Sequence, residues 1–247
     1  MYQSERMDEI LAILKENHYV TVDYLVKKIR YSPASIRRDL TLLEQQGLVK
    51  RSWGGVEIKN ESITPFVFRQ HSMKSAKNRI ASRAAELVQN GDTVFIDGSS
   101  SSQYLGHFLT TKKDITVITN NMLLASYLKE HGVYTYCTGG FVSELPGILS
   151  GEITARTYSA FHADVSFFSA VGFDNGRIYG SNENYVQHIR VMLENSDRHV
   201  FLCGSDKIGQ RGKMNICDLD VIDCFISDKS VDKNIISKYK KTEFITV

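Results

Sequence analysis

The sequence predicts an α/β chain in which a small helical unit with a hairpin precedes a larger domain of alternating strands and helices. Three observations predict this. Apolar residues recur at helical spacing up to about residue 45, two short strand-like runs then flank a glycine pair, and beyond residue 77 short apolar runs alternate with helical stretches. With 247 residues and 42% apolar content, the chain can bury the core of one large domain or of two unequal ones.

Each element follows from local signals. Ile10, Leu11, Ile13 and Leu14 form a helical stripe from Ser4 to about Asn17. Thr21 suits the N-cap of a second helix that carries Leu25, Val26 and Ile29 on one face. Ser32 and Pro33 open a third, because proline at the first helical position loses no hydrogen bond. Ile36, Leu40 and Leu43 are its buried stripe, and Gly47 suits the positive φ that ends a helix. Leu48 to Lys59 reads as two strands turning at Gly54 and Gly55. Residues 60–76, with Pro65, read as a linker between a domain at 1–59 and one at 77–247. In the second domain, helices are predicted at 79–89, 102–109, 123–130 and 185–195, and strands at 93–96, 116–118, 133–137, 165–170, 200–203 and 221–227. This alternation predicts a largely parallel sheet with helices on both faces.

Composition excludes several classes. No apolar run reaches the roughly 18 residues of a membrane span, and the opening MYQSERMDEI is too charged for a secretory leader, so a cytoplasmic protein with no membrane partner is expected. Cys137, Cys203, Cys217 and Cys224 lack CxxC spacing and no histidines pair at metal-ligand spacing, so reduced thiols, no metal and no cofactor are expected. The net charge of +2 is uninformative, but its distribution is not. Lys27, Lys28, Arg30, Arg37, Arg38, Lys50 and Arg51 face only Asp39 and Glu44 between residues 27 and 51. That stretch can meet phosphates.

The third helix and the hairpin together read as a winged helix-turn-helix. In YSPASIRRDLTLLEQQG, Ser35, Arg37 and Arg38 lie away from the apolar stripe, free to meet base edges and phosphates in a major groove. Asp39 is expected to orient an arginine, Lys50 and Arg51 to reach the sugar-phosphate backbone, and Trp53 to prop the hairpin or lie along the minor-groove wall. A basic helix alone would equally be a solvated face. Here the helix spacing, the Ser-Pro start and the hairpin agree on double-stranded DNA.

In the larger domain, TVFIDGSSSSQYLGHFL runs from a strand through a polar loop into a helix, a form that offers amides to a phosphate. Asp97 ends the strand and can accept from a sugar hydroxyl, Gly98 permits the turn, and Ser99, Ser100 and Ser101 bring hydroxyls to the helix start. A serine-rich loop is often only a cap. Two further strands, however, end in Thr119-Asn120-Asn121 and Thr138-Gly139-Gly140, delivering small or polar residues to the same edge. Glu183, Arg190 and Lys207 are charged candidates, the last able to neutralise a phosphate.

The motifs SIRRDLTLLEQQGLVKR with the following GG, then IDGSSS, VITNN, TGG, VGFDNG and SDKIG, resemble the DeoR family of bacterial sugar-metabolism repressors over nearly the whole chain. The resemblance implies a C-terminal domain related to sugar-phosphate isomerases and kept for ligand binding. It carries effector contact onto Asp97, Ser99, Ser100, Ser101, Asn120, Gly140 and Lys207. Trp53 stands where the family usually has histidine, Ile189 where it has lysine, and Gly204 where it has aspartate before SDK.

The function expected is that of a ligand-responsive regulator, a repressor of a carbohydrate operon, acting as a homodimer or homotetramer on operator DNA. One alternative is a sugar-phosphate isomerase using Asp97 with Glu183 or Lys207 as acid and base, which the missing second carboxylate beside Asp97 and Ile189 disfavour. The same departures leave a third reading, a regulator that has lost its sensing.

Overall fold

The computed structural model describes residues 3–17, 19–45, 48–52, 54–58, 73–143 and 147–247, with positions 4, 8, 15 and 16 described for the backbone alone. Gly47, Trp53 and linker residues 60–72 lie outside the described residues, so the sequence expectations placed on them receive no structural account. The chain divides into two units, Met1–Ser72 and Met73–Val247.

The first unit contains helices α1 (Gln3–Asn17), α2 (Val22–Ile29) and α3 (Pro33–Gln45), with strands β1 (Tyr19–Thr21), β2 (Val49–Ser52) and β3 (Gly55–Ile58). Thr21 caps α2 by accepting a hydrogen bond from the Tyr24 amide at 3.1 Å. Ser32 does the same for Ser35 at 3.2 Å, and Pro33 is the first residue of α3. Ile36, Leu40 and Leu43 close on Ile10, Leu14 and Leu25 in one buried cluster. In the hairpin, Ser52 pairs with Gly55, so Gly55 belongs to the second strand rather than to the turn. β1 pairs with β3 and completes a three-stranded sheet. Three residues carry no readable period, which hid β1 from the sequence.

The second unit runs α4 (Lys74–Ala85), β4 (Thr93–Ile96), α5 (Leu105–Leu109), β5 (Thr116–Thr119), α6 (Met122–Glu130), β6 (Tyr134–Cys137), the hairpin strands β7 (Phe141–Val142) and β8 (Leu149–Ser150), α7 (Glu152–Ser159), β9 (Ala163–Phe168), β10 (Gly172–Asp174), β11 (Arg177–Gly180), α8 (Glu183–Glu194), β12 (Ser196–Cys203), β13 (Met214–Asp218), β14 (Cys224–Ser227), α9 (Lys233–Lys238) and β15 (Glu243–Thr246). Seven strands form one sheet in the order β15-β14-β12-β9-β4-β5-β6, and every pair in it is parallel.

Both faces of the sheet's inner strands are buried, as strands joined by helical crossovers require, while the edge strand β6 is largely exposed. Val94, Ile96, Val117, Phe167, Val200 and Leu202 face Ile80, Ala81 and Ala84 of α4, while Phe95, Ile118, Phe168, Phe201 and Phe225 pack with Val186, Ile189 and Met192 of α8. From β4 the chain continues outward to β5 and β6, and from β9 it continues the opposite way to β12, β14 and β15. The carboxyl ends of β4 and β9 are therefore the switch point where open α/β sheets bind ligands.

Several boundaries differ from the expectation. The helix predicted at 79–89 is α4, so residues 74–76, assigned to the linker, are helical in the second unit. The stretch read as one helix from Ser102 is a 3-10 turn, Ser102–Tyr104, followed by the short α5. The antiparallel sheet β10-β11-β13, α7 and β15 were not predicted.

Candidate functional site

On α3, Arg37 and Arg38 are exposed while Ile36, Asp39, Leu40 and Leu43 are buried. Ser35 is half-buried, its hydroxyl 2.9 Å from that of Ser32. The hairpin is tied to this helix. Arg51 Nη1 donates to Thr41 Oγ1 at 3.0 Å and the Arg51 amide donates to Glu44 Oε1 at 3.0 Å, while Lys50 is exposed and paired with Glu57 at 3.3 Å. Asp39 orients an arginine as expected, but a distant one. It accepts from Arg6 Nε at 2.5 Å and Arg6 Nη2 at 3.1 Å, so it fixes α1 against α3 and leaves Arg37 and Arg38 on the surface.

In the second unit, the turn after β12 and the first turns of α4 converge on the loop after β4. Lys207 Nζ donates to Ser169 Oγ at 2.6 Å and to Ser101 Oγ at 3.2 Å, joining the turn after β12 to the ends of β9 and β4. Lys77 Nζ donates to Ser100 Oγ at 3.3 Å from α4. Both lysines are buried, at 4% and 7% exposure for Lys77 and Lys207. Burying an ammonium is costly unless charge or hydrogen bonds compensate, and two of them on one serine loop are able to meet an anion there. Ser99 shapes the loop by accepting from the Ser102 amide at 3.1 Å.

Asp97 lies at the base of this loop, fully buried. The Tyr185 hydroxyl is within hydrogen-bond reach of Asp97 Oδ2, at 3.3 Å, and closer to the Ser169 carbonyl. Asp97 Oδ1, Asn121 Nδ2 and Thr138 Oγ1 are buried without a hydrogen-bond partner among the described residues. These three sit just beyond the carboxyl ends of β4, β5 and β6. Unsatisfied buried polar atoms each cost about 1–3 kcal/mol, and hydroxyl groups of a ligand can relieve that cost.

Other residues expected here do different work. Arg190 is exposed on α8, and its guanidinium donates to the carbonyls of Ile216 at 2.9 Å and Asn215 at 2.7 Å. These bonds brace β13 and keep Arg190 out of the lysine and serine cluster, and that strand is too short to be read from the sequence. Asn120 adjoins the loop, but its side chain holds β8 through the Leu149 carbonyl at 2.8 Å and meets the Tyr158 hydroxyl at 3.3 Å. Gly140 has φ 130°, and a Cβ there would lie 2.5 Å from the Ser150 carbonyl oxygen, so its need is for space. A Cβ on Gly98 would press on Ile148 at 2.8 Å. Glu183 is exposed in the first turn of α8. Sequence reading missed Lys77, Ser169 and Tyr185. The available signal was a lysine in line with Ile80, Ala81 and Ala84 on the apolar stripe of α4.

Burial pushes the Asp97 carboxyl up to about 6 from 3.8, against the pull of Ser102, Ser99 and the Lys207 ammonium. A raised carboxyl contributes stability that is present below its unfolded value and lost as pH rises through the folded one. Burial pushes His188 down to about 4 from 6.5, which gives the opposite slope over the same range. The two therefore offset in the parent protein. Asp97→Asn should gain stability relative to the parent by about 3 kcal/mol between pH about 4 and about 7. Urea unfolding of the second unit at several pH values checks this. A difference that stays constant with pH would contradict it.

A cleft of about 330 Å³ on the antiparallel sheet pairs its own charges, Arg211 with Asp174 at 2.6 Å and Arg177 with Asp218 at 3.5 Å, and shares no lining residue with the serine loop. No helix among the described residues is long and apolar enough to cross a membrane. Among the described residues no group of three or more His, Cys, Asp or Glu is placed to hold a metal.

Comparison with known proteins covers both units. The family model described as DeoR-like helix-turn-helix domain matches residues 6–62, and the one described as DeoR C terminal sensor domain matches residues 72–229. Among solved structures, the chain is similar to ribose 5-phosphate isomerase A from Methanocaldococcus jannaschii, at 12% identity over 56% of this chain and 55% of that one, with a TM-score of 0.42. The glycerol-3-phosphate regulon repressor of Escherichia coli is 31% identical over 92% of each chain. The transcriptional regulator GolR of Listeria innocua is 30% identical over 97% of this chain and 96% of that one. The L-fucose operon activator of Haemophilus influenzae is 30% identical over 98% of each. Identity at this level along the whole length, with both units matched separately, makes this chain a member of the DeoR family, a DNA-binding transcriptional regulator with a sensor domain.

Proposed function

We propose that this regulator represses a carbohydrate operon in the cytoplasm and answers to a phosphorylated sugar, whose phosphate is held by Ser99, Ser100, Ser101, Lys77 and Lys207 and whose hydroxyls meet Asp97. The observation that carries this reading is the pair of buried lysines on the serine loop at the switch point of the sheet. A buried carboxylate beside them suits a polyol. The relatives named for a glycerol-3-phosphate regulon and an L-fucose operon support the substrate class.

Binding without turnover is part of the reading. Isomerisation needs a base, an acid and a stabiliser for an enediolate in register. Here Ile189 is fully buried in apolar surroundings and the Glu183 carboxylate is exposed. On DNA, Arg37, Arg38 and Ser35 read the groove while Lys50, Arg51 and Trp53 serve the wing. Self-association as a homodimer or homotetramer matches the paired half-sites that such heads read. It is supported by the exposed apolar side chains Tyr134, Tyr136, Phe141 and Val142 at the β6 edge and the hairpin that follows it.

The test is titration of the purified protein against labelled DNA from upstream of its own gene at two salt concentrations, with and without a panel of hexose and pentose phosphates. Tight, salt-sensitive binding that one sugar phosphate shifts is expected. Arg38→Ala should weaken DNA binding by about 10–100-fold and leave sugar-phosphate binding intact. DNA binding that no phosphorylated sugar moves would remove the sensing half of the reading.

A further inference from the structure

We propose that Lys77 is the residue through which ligand occupancy reaches the DNA-reading unit, with the entry turn of α4 as the moving part. The proposal rests on the reading of the serine loop as a phosphate site. Lys77 closes the first turn of α4, four residues after Met73, the first residue of the second unit. The chain enters this unit through that turn.

Three features single it out. Met73 has a left-handed backbone at φ 54° and ψ 34°, a conformation that a residue with a Cβ adopts only under constraint, and no side chain caps the helix there. The Lys77 amide donates to the Met73 carbonyl at 2.9 Å, so the lysine and the constrained residue share one hydrogen-bonded turn. The Met73 sulfur lies near the turn that carries Lys207, 4.0 Å from where a Cβ added to Gly204 would stand. The entry of α4 thus touches the serine loop through Lys77 on Ser100, with Met73 close to the turn that carries Lys207. A phosphate placed between the lysines adds a charge-assisted contact beside the hydrogen bond that Lys77 makes to Ser100. That pulls on the turn where the chain enters the unit, and a ligand shifts a conformational equilibrium only by such a differential contact.

Inorganic phosphate serves as the probe, with chloride at matched ionic strength as the control, on the full chain. Melting of the second unit reports phosphate binding, and labelled upstream DNA reports the response. In the parent, phosphate should raise the melting temperature and change DNA affinity by about tenfold, in the usual range of coupling between sites. Lys77→Met should still bind phosphate, up to about tenfold more weakly, while its DNA affinity is the same with and without saturating phosphate to within about twofold. Lys207→Met should lose the phosphate-dependent melting shift itself. A Lys77→Met protein that passes phosphate to DNA as the parent does would overturn the coupling role, as would one that no longer binds phosphate at all, which makes Lys77 an anchor. Absence of any melting shift in the parent would instead overturn the serine-loop reading, and the coupling with it.

Discussion

Ser100→Glu should abolish binding of the phosphorylated sugar, by on the order of 100-fold or more, in a protein that still binds DNA. Ser100 is 4% exposed and its hydroxyl receives the Lys77 ammonium at 3.3 Å. A carboxylate introduced there satisfies the lysine from within the protein and stands where an incoming phosphate needs to be. In a site screened from water, repulsion between the two anions is strong. Ser100→Ala provides the control, since it removes one neutral hydroxyl and should weaken binding by about tenfold or less. Calorimetric titration of both variants reads the difference. Undiminished binding by Ser100→Glu would move the phosphate elsewhere in the unit.

The second large effect lies in the first unit. Asp39 has 0% exposure and receives both Arg6 contacts together with Gln3 Nε2 at 3.0 Å. Arg6 also covers the Tyr31 ring at 4.6 Å from its centroid. Asp39→Ala leaves a nearly buried guanidinium without its carboxylate, a loss of about 3–5 kcal/mol. A unit of this size has only about 5 kcal/mol or a little more in total. Asp39→Ala should therefore unfold the first unit near 37 °C, with DNA binding lost and the second unit melting as before. Replacing the pair together, Arg6→Met with Asp39→Leu, should recover much of the stability, because two packed apolar groups carry no desolvation cost. Hydrogen exchange on α1 and α3 reads the outcome for each variant. Full protection of those helices in Asp39→Ala would show that the ion pair contributes little.

Much of the fold was legible in the sequence because its elements are locally encoded. Thr21, Ser32 and Pro33 announce two helix starts with their own side chains, and runs such as Thr93–Ile96 and Thr116–Thr119 are apolar or threonine and carry no charge because both faces of a parallel sheet are covered. What escaped was encoded at a distance. β11 pairs Arg177 with Asp218 of β13, about forty residues on, and neither strand is long enough to show a period. With β13 unread, Arg190 stands in the sequence as a charged candidate for the ligand, whereas its backbone acceptors belong to that strand. Lys77 was missed for the opposite reason. A lysine beside an expected linker reads as solvated, and only the packing of α4 against the sheet shows it buried. At the strand ends, residue type foretold position better than task. Asp97, Ser100, Ser101 and Lys207 do come together, whereas Asn120 and Gly140 support the walls.

The decisive measurement is calorimetric titration of the full chain with sugar phosphates and their unphosphorylated counterparts in parallel, for instance glucose 6-phosphate against glucose and ribose 5-phosphate against ribose. Two buried ammonium groups aimed at one serine loop require that a phosphorylated sugar bind on the order of 100-fold more tightly than the same sugar without its phosphate, and that Lys207→Met erase the difference. Equal affinity for both forms, or a phosphate preference that survives Lys207→Met, would contradict an anion site at the switch point of this sheet.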